Sequence, residues 1–341
     1  LLNTLLPRYL TEIENTLLQT LDQTVAEHTL SPELATMLRY PLGWVDEKNQ
    51  PYQGQSGKRI RPTLLLMCCD AAGGSWEQAL PAAAAVELLH NFSLIHDDIE
   101  DNSPTRHGRP TVWTVWGMNQ GINTGDAMFA VTYRSLAKLT ETGIADWVVL
   151  RCWQIFNHMT IELTRGQHLD MAFETRDVVS VDDYLSMIRG KTAALVAGSA
   201  QLGAMIGSGD EQLSQHYAEF GLNLGLAFQL HDDILGIWGD PDVTGKSAAT
   251  DIRDRKKSLP ILYGLEHSSK LKTLYGSNDS SQAAIDQIIT ELDAVGAREE
   301  TQQRELVFYE KATSALEAAN PRQEIADGLQ ALMSGLLKRV K

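Results

Sequence analysis

Two aspartate clusters carry the chemistry this chain could do. Asp97-Asp98-Ile99-Glu100-Asp101 ends one apolar run, Val86 to Ile95, and Asp232-Asp233-Ile234-Leu235-Gly236 ends another, Phe220 to Leu230. Both runs read as buried helix. Carboxylates repel one another and resist desolvation, so carboxylates gathered at the ends of core helices call for a cationic partner. Mg²⁺ ions clamping a diphosphate are the simplest such partner. Asp97 and Asp101 are spaced i,i+4, which puts both on one helical face. Two adjacent oxygen ligands suit Mg²⁺, which keeps waters and takes its other ligands from phosphate. An isolated pattern of this kind is commonly an acidic helix end on the surface. The apolar run before it, and a second cluster in the same setting, weigh against that here.

Basic residues recur beside both clusters. Gly57-Lys58-Arg59-Ile60-Arg61-Pro62 opens a helix, where a glycine, a lysine and an arginine can hold an anion together with free N–H groups. Arg106-His107-Gly108-Arg109-Pro110-Thr111 follows the first cluster, Lys191-Thr192 starts another helix, and Lys246, Lys256 and Lys257 follow the second cluster. Each alone reads as a solvated surface charge. Their shared association with the aspartates makes them a set.

The elements that must position these groups are helical. Residues 8–39 form an amphipathic stretch with Ser31-Pro32 as an internal cap and first turn. Residues 41–56 are a loop broken by Pro41, Gly43, Pro51 and Gly54. Apolar residues at helical spacing predict helices near 58–73, 76–96, 120–141, 144–172, 181–207 and 210–236. The stretch 237–257 is dense in charge, glycine and proline and reads as a functional loop. A helix begins near Leu259, residues 266–283 read as a polar surface excursion, and 284–341 as two or three amphipathic helices. Strand signals are scarce and no fixed-period repeat is present. The expectation is a single all-α domain over residues 1–341.

Composition sets limits. The chain has 341 residues, 43% hydrophobic, enough for a sizeable core, and a net charge of −15 that argues against a nucleic-acid surface. Cys68, Cys69 and Cys152 are odd in number with two adjacent, which fits neither a disulfide framework nor a zinc pattern and suits core thiols of a reducing compartment. No apolar run is long enough to span a bilayer. No signal peptide is visible, although the chain starts at Leu1. A cytoplasmic location is expected.

At this point the residues carry a resemblance. GKRIRP at 57–62, HNFSLIHDDIED at 90–101, RHGRPT at 106–111, GQHLD at 166–170, KTAAL at 191–195, FQLHDDILGIWGD at 228–240 and GKSAATDIRDRKKSLP at 245–260 resemble, in order and spacing, the trans-isoprenyl diphosphate synthases. The resemblance runs from about Gly57 to Leu265. It implies an isoprenoid-synthase-type helical bundle around a central apolar cavity, a homodimer, and head-to-tail condensation of isopentenyl diphosphate with an allylic diphosphate. It further implies that Asp97 and Asp101, with Asp232, bind Mg²⁺, with Asp98 and Asp233 completing the two metal clusters. Arg106, Lys191, Lys246 and Lys256 would hold the allylic diphosphate, with Thr192 and Gln229 lining that site. Lys58, Arg61 and His90 would bind isopentenyl diphosphate, and Gly57 would let the backbone come close. No dedicated His or Glu base stands out, which fits the family's use of the departing diphosphate to take the proton.

Two positions depart from the family pattern. His107 stands where a second arginine is usual. It can still donate to phosphate, but with a pH-dependent charge. Gly236 stands where the second cluster usually ends in Asp, leaving Asp232 and Asp233. In the family the residues just before the first cluster floor the product tunnel; here they are Phe92 and Ser93. A ring beside a small hydroxyl, with no insertion in the cluster, favours the C20 product geranylgeranyl diphosphate, with C15 next and C25 also open. Plain core packing accounts for Phe92 equally well. His96 reads as a packing residue, because Mg²⁺ prefers oxygen. The competing functions are a class I terpene cyclase, whose second metal motif is not seen in the expected place, and a non-catalytic synthase subunit, which would usually have lost cluster aspartates.

Overall fold

In the computed structural model, residues 2–52, 57–240, 249–277 and 279–337 are described, with side chains from residue 6 onward. The chain divides into two compact units, Leu1–Ile155 with Leu202–Glu211, and Phe156–Gln201 with Gln212–Lys341. The only sheet among the described residues is a two-stranded hairpin.

The first unit is built on α4 (Leu80–Glu100), which α1 (Leu2–Glu27), α3 (Ile60–Ala71) and α6 (Met118–Ala137) pack against. The reason is in its sequence. Pro81 lies in the first turn, where a missing N–H costs nothing. Ala82 through Ala85 follow at 0% exposure, small enough for helices to approach from every side. The helix runs on through the first acidic cluster and ends with Asp101 as its C-cap, whose N–H bonds to Asp97 O at 2.9 Å. Ser31 caps α2 (Pro32–Arg39) by accepting from Leu34 N, which splits the expected 8–39 stretch where the sequence placed the cap.

The hairpin was not expected. Thr105–Arg106 (β1) pairs antiparallel with Arg109–Pro110 (β2), with Thr105 opposite Pro110 and Arg106 opposite Arg109. His107 and Gly108 make the two-residue turn at φ 51° and 75°, the backbone that the right-handed twist of a hairpin favours. A short helix, α5 (Val112–Trp116), follows. The run 105–110 is too short for a periodic strand signal, so only its turn chemistry was available to announce it.

The second unit holds most of α7 (Asp146–Thr175), then α8 (Val181–Ile188), a π-turn at Arg189–Ala193, most of α9 (Ala194–Ser208) and nearly all of α10 (Glu211–Trp238). Its C-terminal part is α11 (Thr250–Arg253), α12 (Leu259–His267), α13 (Ser269–Gly276), α14 (Gln282–Ala294), α15 (Ala297–Ala318) and α16 (Gln323–Leu337). One core joins Phe173, Tyr184, Ile188, Leu226, Leu230 and Leu259. A second joins Ile237, Ile252, Ile261, Ile285 and Ile288. The expected polar excursion at 266–283 is in part a helix. Ser268 caps α13 by accepting from Leu271 N at 3.0 Å, and Leu271 is fully buried. Leu274 and Tyr275 pack against the same core, so three apolar residues anchor the helix in a serine-rich stretch.

The continuous helix expected over 181–207 is interrupted by the π-turn that carries Lys191. α7 comes close to this turn because both sides are glycine there. A Cβ on Gly166 would lie 1.9 Å from Lys191 N, and one on Gly190 would lie 2.6 Å from Glu162 O. Gly166→Ala is therefore expected to destabilise the protein by about 1–3 kcal/mol, the usual cost of overpacking. A midpoint in urea unchanged from wild type would show that the crossing is not this tight.

Candidate functional site

The start of α3, one face of α4 and the hairpin enclose a cavity of about 160 Å³ in the first unit. Of the residues singled out in the sequence, Gly57, Lys58, Arg61, His90, Asp98, Arg106 and His107 all line it. Arg61 Nη1 lies 3.1 Å from His90 Nε2. A guanidinium only donates, so Nε2 accepts and the imidazole proton sits on Nδ1. Burial, reinforced by Arg61 and neighbouring cations, holds the His90 pKa well below its ordinary value, so the ring is neutral. Burial also lowers the Arg61 pKa, with Glu87 opposing it. Among the described residues, Arg61 Nε and His90 Nδ1 have no hydrogen-bond partner. Buried donors left unmatched are uncommon and suit an anion.

At the far end of the same α4 face, Arg106 forks across the first cluster. Its Nη2 donates to Asp97 at 2.9 Å and its Nε to Asp98 at 2.7 Å. Asp98 is buried, and burial raises its pKa despite Arg106. Asp97 is half-buried and Asp101 exposed. Two turns earlier, Phe92 packs 4.7 Å from the Phe129 ring of α6 and edge-on to His96 at 4.9 Å. Ser93 Oγ donates to His90 O at 2.8 Å. His96 packs as expected, with its Nε2 3.3 Å from Ile122 O.

In the second unit Lys191 Nζ meets Asp170 at 2.5 Å, one helical turn past Gly166. Thr192 Oγ1 donates to Gln229 Oε1 at 2.7 Å, and Gln229 Nε2 donates to Asp233 Oδ1 at 3.1 Å. The other oxygen of Asp233 accepts from Tyr184 OH at 2.5 Å and Leu259 N at 3.2 Å. This revises the expectation for Asp233. It is 3% exposed with both oxygens used inside the fold, whereas Asp232, about 100° around the helix, is exposed. Lys256 is exposed, and Lys246 lies outside the described residues.

Two residues of the site were missed in the sequence. Asp251, at the start of α11, is 8% exposed, and its carboxylate fills the room beside Gly236. A Cβ built on Gly236 would lie 2.6 Å from Asp251 Oδ2. Spacing alone could not bring them together, since the intervening segment has no readable period. The other is Arg59, 4% exposed, which donates to Glu14 at 2.7 Å, to Glu87 at 2.8 Å and to Leu42 O at 2.9 Å. Its signal was Glu87, a lone carboxylate inside the apolar run Val86 to Leu89.

The matching family model is polyprenyl synthetase, over residues 43–292, and the chain belongs to that family. The chain is 42% identical over 238 residues to a (2E,6E)-farnesyl diphosphate synthase of Mycobacterium tuberculosis, a match covering 70% of this chain and 65% of that protein. A geranylgeranyl diphosphate synthase from the same organism is 41% identical over 260 residues, covering 76% and 73%. The chain thus spans just under two thirds of the first of these relatives. Among solved structures, a polyprenyl synthetase from Streptomyces coelicolor superposes with a TM-score of 0.89 at 34% identity, covering 99% of this chain and all of that one. A geranylgeranyl pyrophosphate synthase from Corynebacterium glutamicum, complexed with isoprenyl diphosphate and magnesium, gives 0.82 at 30% identity, covering 97% and 99%. The all-α architecture is that of the isoprenyl synthase fold.

The Asp233 carboxyl is pushed up from 3.8 to about 7, first by burial, against the Tyr184 hydrogen bond and with help from Asp251. Between those values the folded protein holds a proton that the unfolded chain releases. The resulting stabilisation is complete below 3.8 and lost as pH rises through about 7. Asp233→Asn mimics the protonated acid. Urea unfolding without added metal should show wild type losing stability relative to this variant between pH 4 and 8. Parallel pH profiles would refute a proton on Asp233.

Proposed function

We propose that this chain is a trans-prenyltransferase that joins isopentenyl diphosphate head-to-tail to an allylic diphosphate. The observation that carries this reading is the Arg61–His90 pair, with donors open beside Lys58, in the cavity that Asp98 and Arg106 also line. Lys58, Arg61 and the Nδ1–H of His90 suit the diphosphate of the isopentenyl substrate. His107 adds a donor at the rim. Arg106, Lys191 and Lys256 are the proposed partners of the allylic diphosphate, with Thr192 and Gln229 beside them.

Among the described residues no three His, Cys, Asp or Glu side chains converge as a ready metal site. Mg²⁺ does not require one, since one or two carboxylates with water and substrate phosphate are its usual shell. Asp97, Asp101 and Asp232 are hard oxygen donors and fit that role; Asp101 and Asp232 are exposed and Asp97 is half-buried. Bound Mg²⁺ supplies neutralisation of the charge that grows on the bridging oxygen as the allylic C–O bond breaks. Arg106 and Lys191 contribute fixed positive charge to the same end. Arg106 now rests on Asp97 and Asp98, and Lys191 on Asp170, so these ion pairs would have to open for the two cations to meet a diphosphate. Because the Nε2 lone pair of His90 is taken by Arg61 and its Nδ1 carries the proton, the ring can donate to its substrate but presents no basic lone pair to it, which supports proton loss to the departing diphosphate.

For the product, the half-buried Phe92 ring and the small Ser93 support C20, geranylgeranyl diphosphate. The relatives' names span farnesyl, geranylgeranyl and geranylfarnesyl synthases, so C15 is the second reading and C25 the third. No helix among the described residues is long and apolar enough to cross a membrane. A cytoplasmic homodimer completes the proposal. Trp147 and Leu150, 54% and 62% exposed, are apolar groups such an assembly would cover.

Incubation with Mg²⁺, isopentenyl diphosphate and each of dimethylallyl, geranyl and farnesyl diphosphate is expected to give chain-extended diphosphates, abolished by EDTA. No condensation with any primer would sink the proposal, and hydrocarbon formed from geranylgeranyl diphosphate alone would favour a cyclase. Phe92→Ala is expected to lengthen the product by at least one isoprene unit. Unchanged products with a lower unfolding midpoint would mean that Phe92 only packs.

A further inference from the structure

We propose that Arg59 is a positioning residue that sets the isopentenyl diphosphate site, and this rests on the function proposed above. The segment Gly57-Lys58-Arg59-Ile60-Arg61 holds three cations in four residues, yet they are held in different ways. Arg59 is spent internally. Its Nε, Nη1 and Nη2 each donate to a different element: Glu14 of α1, Glu87 of α4, and Leu42 O of the loop before α3. Burial works against its charge, but the Glu87 and Glu14 carboxylates outweigh that and its pKa is raised. Arg61 touches only the neutral His90 by hydrogen bond and keeps Nε unmatched among the described residues. Lys58 is exposed at the cavity rim.

The geometry explains why the first arginine matters to the other two cations. Arg59 is the N-cap of α3 and sits at φ 49°, in the left-handed region that a residue with a Cβ occupies only when its surroundings hold it there. That turn lies between Lys58 and Arg61, both of which line the cavity. A Cβ built on Gly57 would lie 3.4 Å from Arg59 Nη1, so the backbone before Lys58 rests against the guanidinium. Glu87 passes the constraint along α4, since its Oε1 also accepts from Asn91 Nδ2 at 3.0 Å, and Asn91 lines the cavity beside His90. A lysine at position 59 would keep the charge but reach one partner in place of three, because only guanidinium has a rigid fork. α1 thereby becomes part of the substrate site through Glu14, which also accepts from Trp44 Nε1 at 2.8 Å.

The test is Arg59→Lys, with Glu14→Gln as a milder variant at a carboxylate still 30% exposed. Arg59→Lys is expected to raise the KM for isopentenyl diphosphate by about tenfold or more, while kcat and the KM for the allylic primer stay within about twofold. Glu14→Gln should shift the same constant in the same direction by less. Calorimetric titration with isopentenyl diphosphate alone should show the matching loss of affinity, with the circular dichroism of both variants unchanged. An unchanged isopentenyl KM in Arg59→Lys would overturn the proposal, as would kcat and both KM values moving together, the mark of a merely structural residue. Should Arg59→Lys not fold, the KM split in Glu14→Gln decides in the same way. Failure of wild type to condense at all counts against the proposed function instead.

Discussion

Glu87 lies on α4 among side chains that are almost completely buried, and Arg59 meets its carboxylate there at 2.8 Å. Removing one member of such a pair is costly, because an isolated buried charge has no compensation. The site is laid out from this pair. Residues 87, 90, 91, 94 and 98 are spaced i, i+3, i+4, i+7 and i+11 and all line the cavity, so they form one stripe of α4. Along that stripe three arginines arrive, Arg59 and Arg61 from the start of α3 at Glu87 and His90, and Arg106 from the hairpin at Asp98. The helix that carries the core therefore also sets the register of the site.

The three arginines differ in what remains unsatisfied. Arg59 is matched by two carboxylates and a carbonyl. Arg106 is matched by two carboxylates, Asp97 and Asp98. Among the described residues Arg61 has only a neutral imidazole. The positive charge open to a small anion is thus concentrated at Arg61 and Lys58, although the segment as a whole is more basic than that. In the second unit burial prevails at Asp233, as it does at Asp98 in the first. Asp233 is surrounded by the donors of Tyr184, Gln229 and Leu259, with no cation among its hydrogen-bond partners in the described residues, and the carboxyl is pushed up to about 7. A buried acid answered by dipoles alone keeps its proton closer to neutral pH than one answered by a cation.

The helices were legible because apolar periodicity over a dozen or more residues leaves few alternatives, and α4, α7 and α10 lie close to where the pattern put them. The cavity residues were legible through the family resemblance and, in part, through local charge next to apolar runs. What was not legible depends on contacts between distant segments or on very short ones. The π-turn at Lys191 follows from a glycine-to-glycine crossing with Gly166 that is invisible in local composition. The hairpin at 105–110 has two residues per strand. α13 rests on Leu271, with Leu274 and Tyr275 packed beside it. Neighbouring aspartates looked equivalent as letters, yet a helix turns about 100° per residue, which buries Asp233 and leaves Asp232 in solvent.

Gly236 illustrates how a sequence departure can be misjudged. As a string, the second cluster lacks its last carboxylate. In space, the carboxylate of Asp251 stands within 2.7 Å of where a Cβ at position 236 would be. An aspartate there would have to push Asp251 aside and would set two buried-side carboxylates against each other, raising the pKa of at least one. Glycine at 236 and aspartate at 251 are thus one arrangement, in which the acid comes from α11 and the room for it from α10. Negative charge beside the second cluster is not missing; its origin has moved to a segment that only the fold brings near. The same holds for Arg59 and Glu14, 45 residues apart in sequence and 2.7 Å apart in the structure. Motif spacing records the groups that touch a substrate, whereas the groups that hold them in place are written wherever the fold can deliver them.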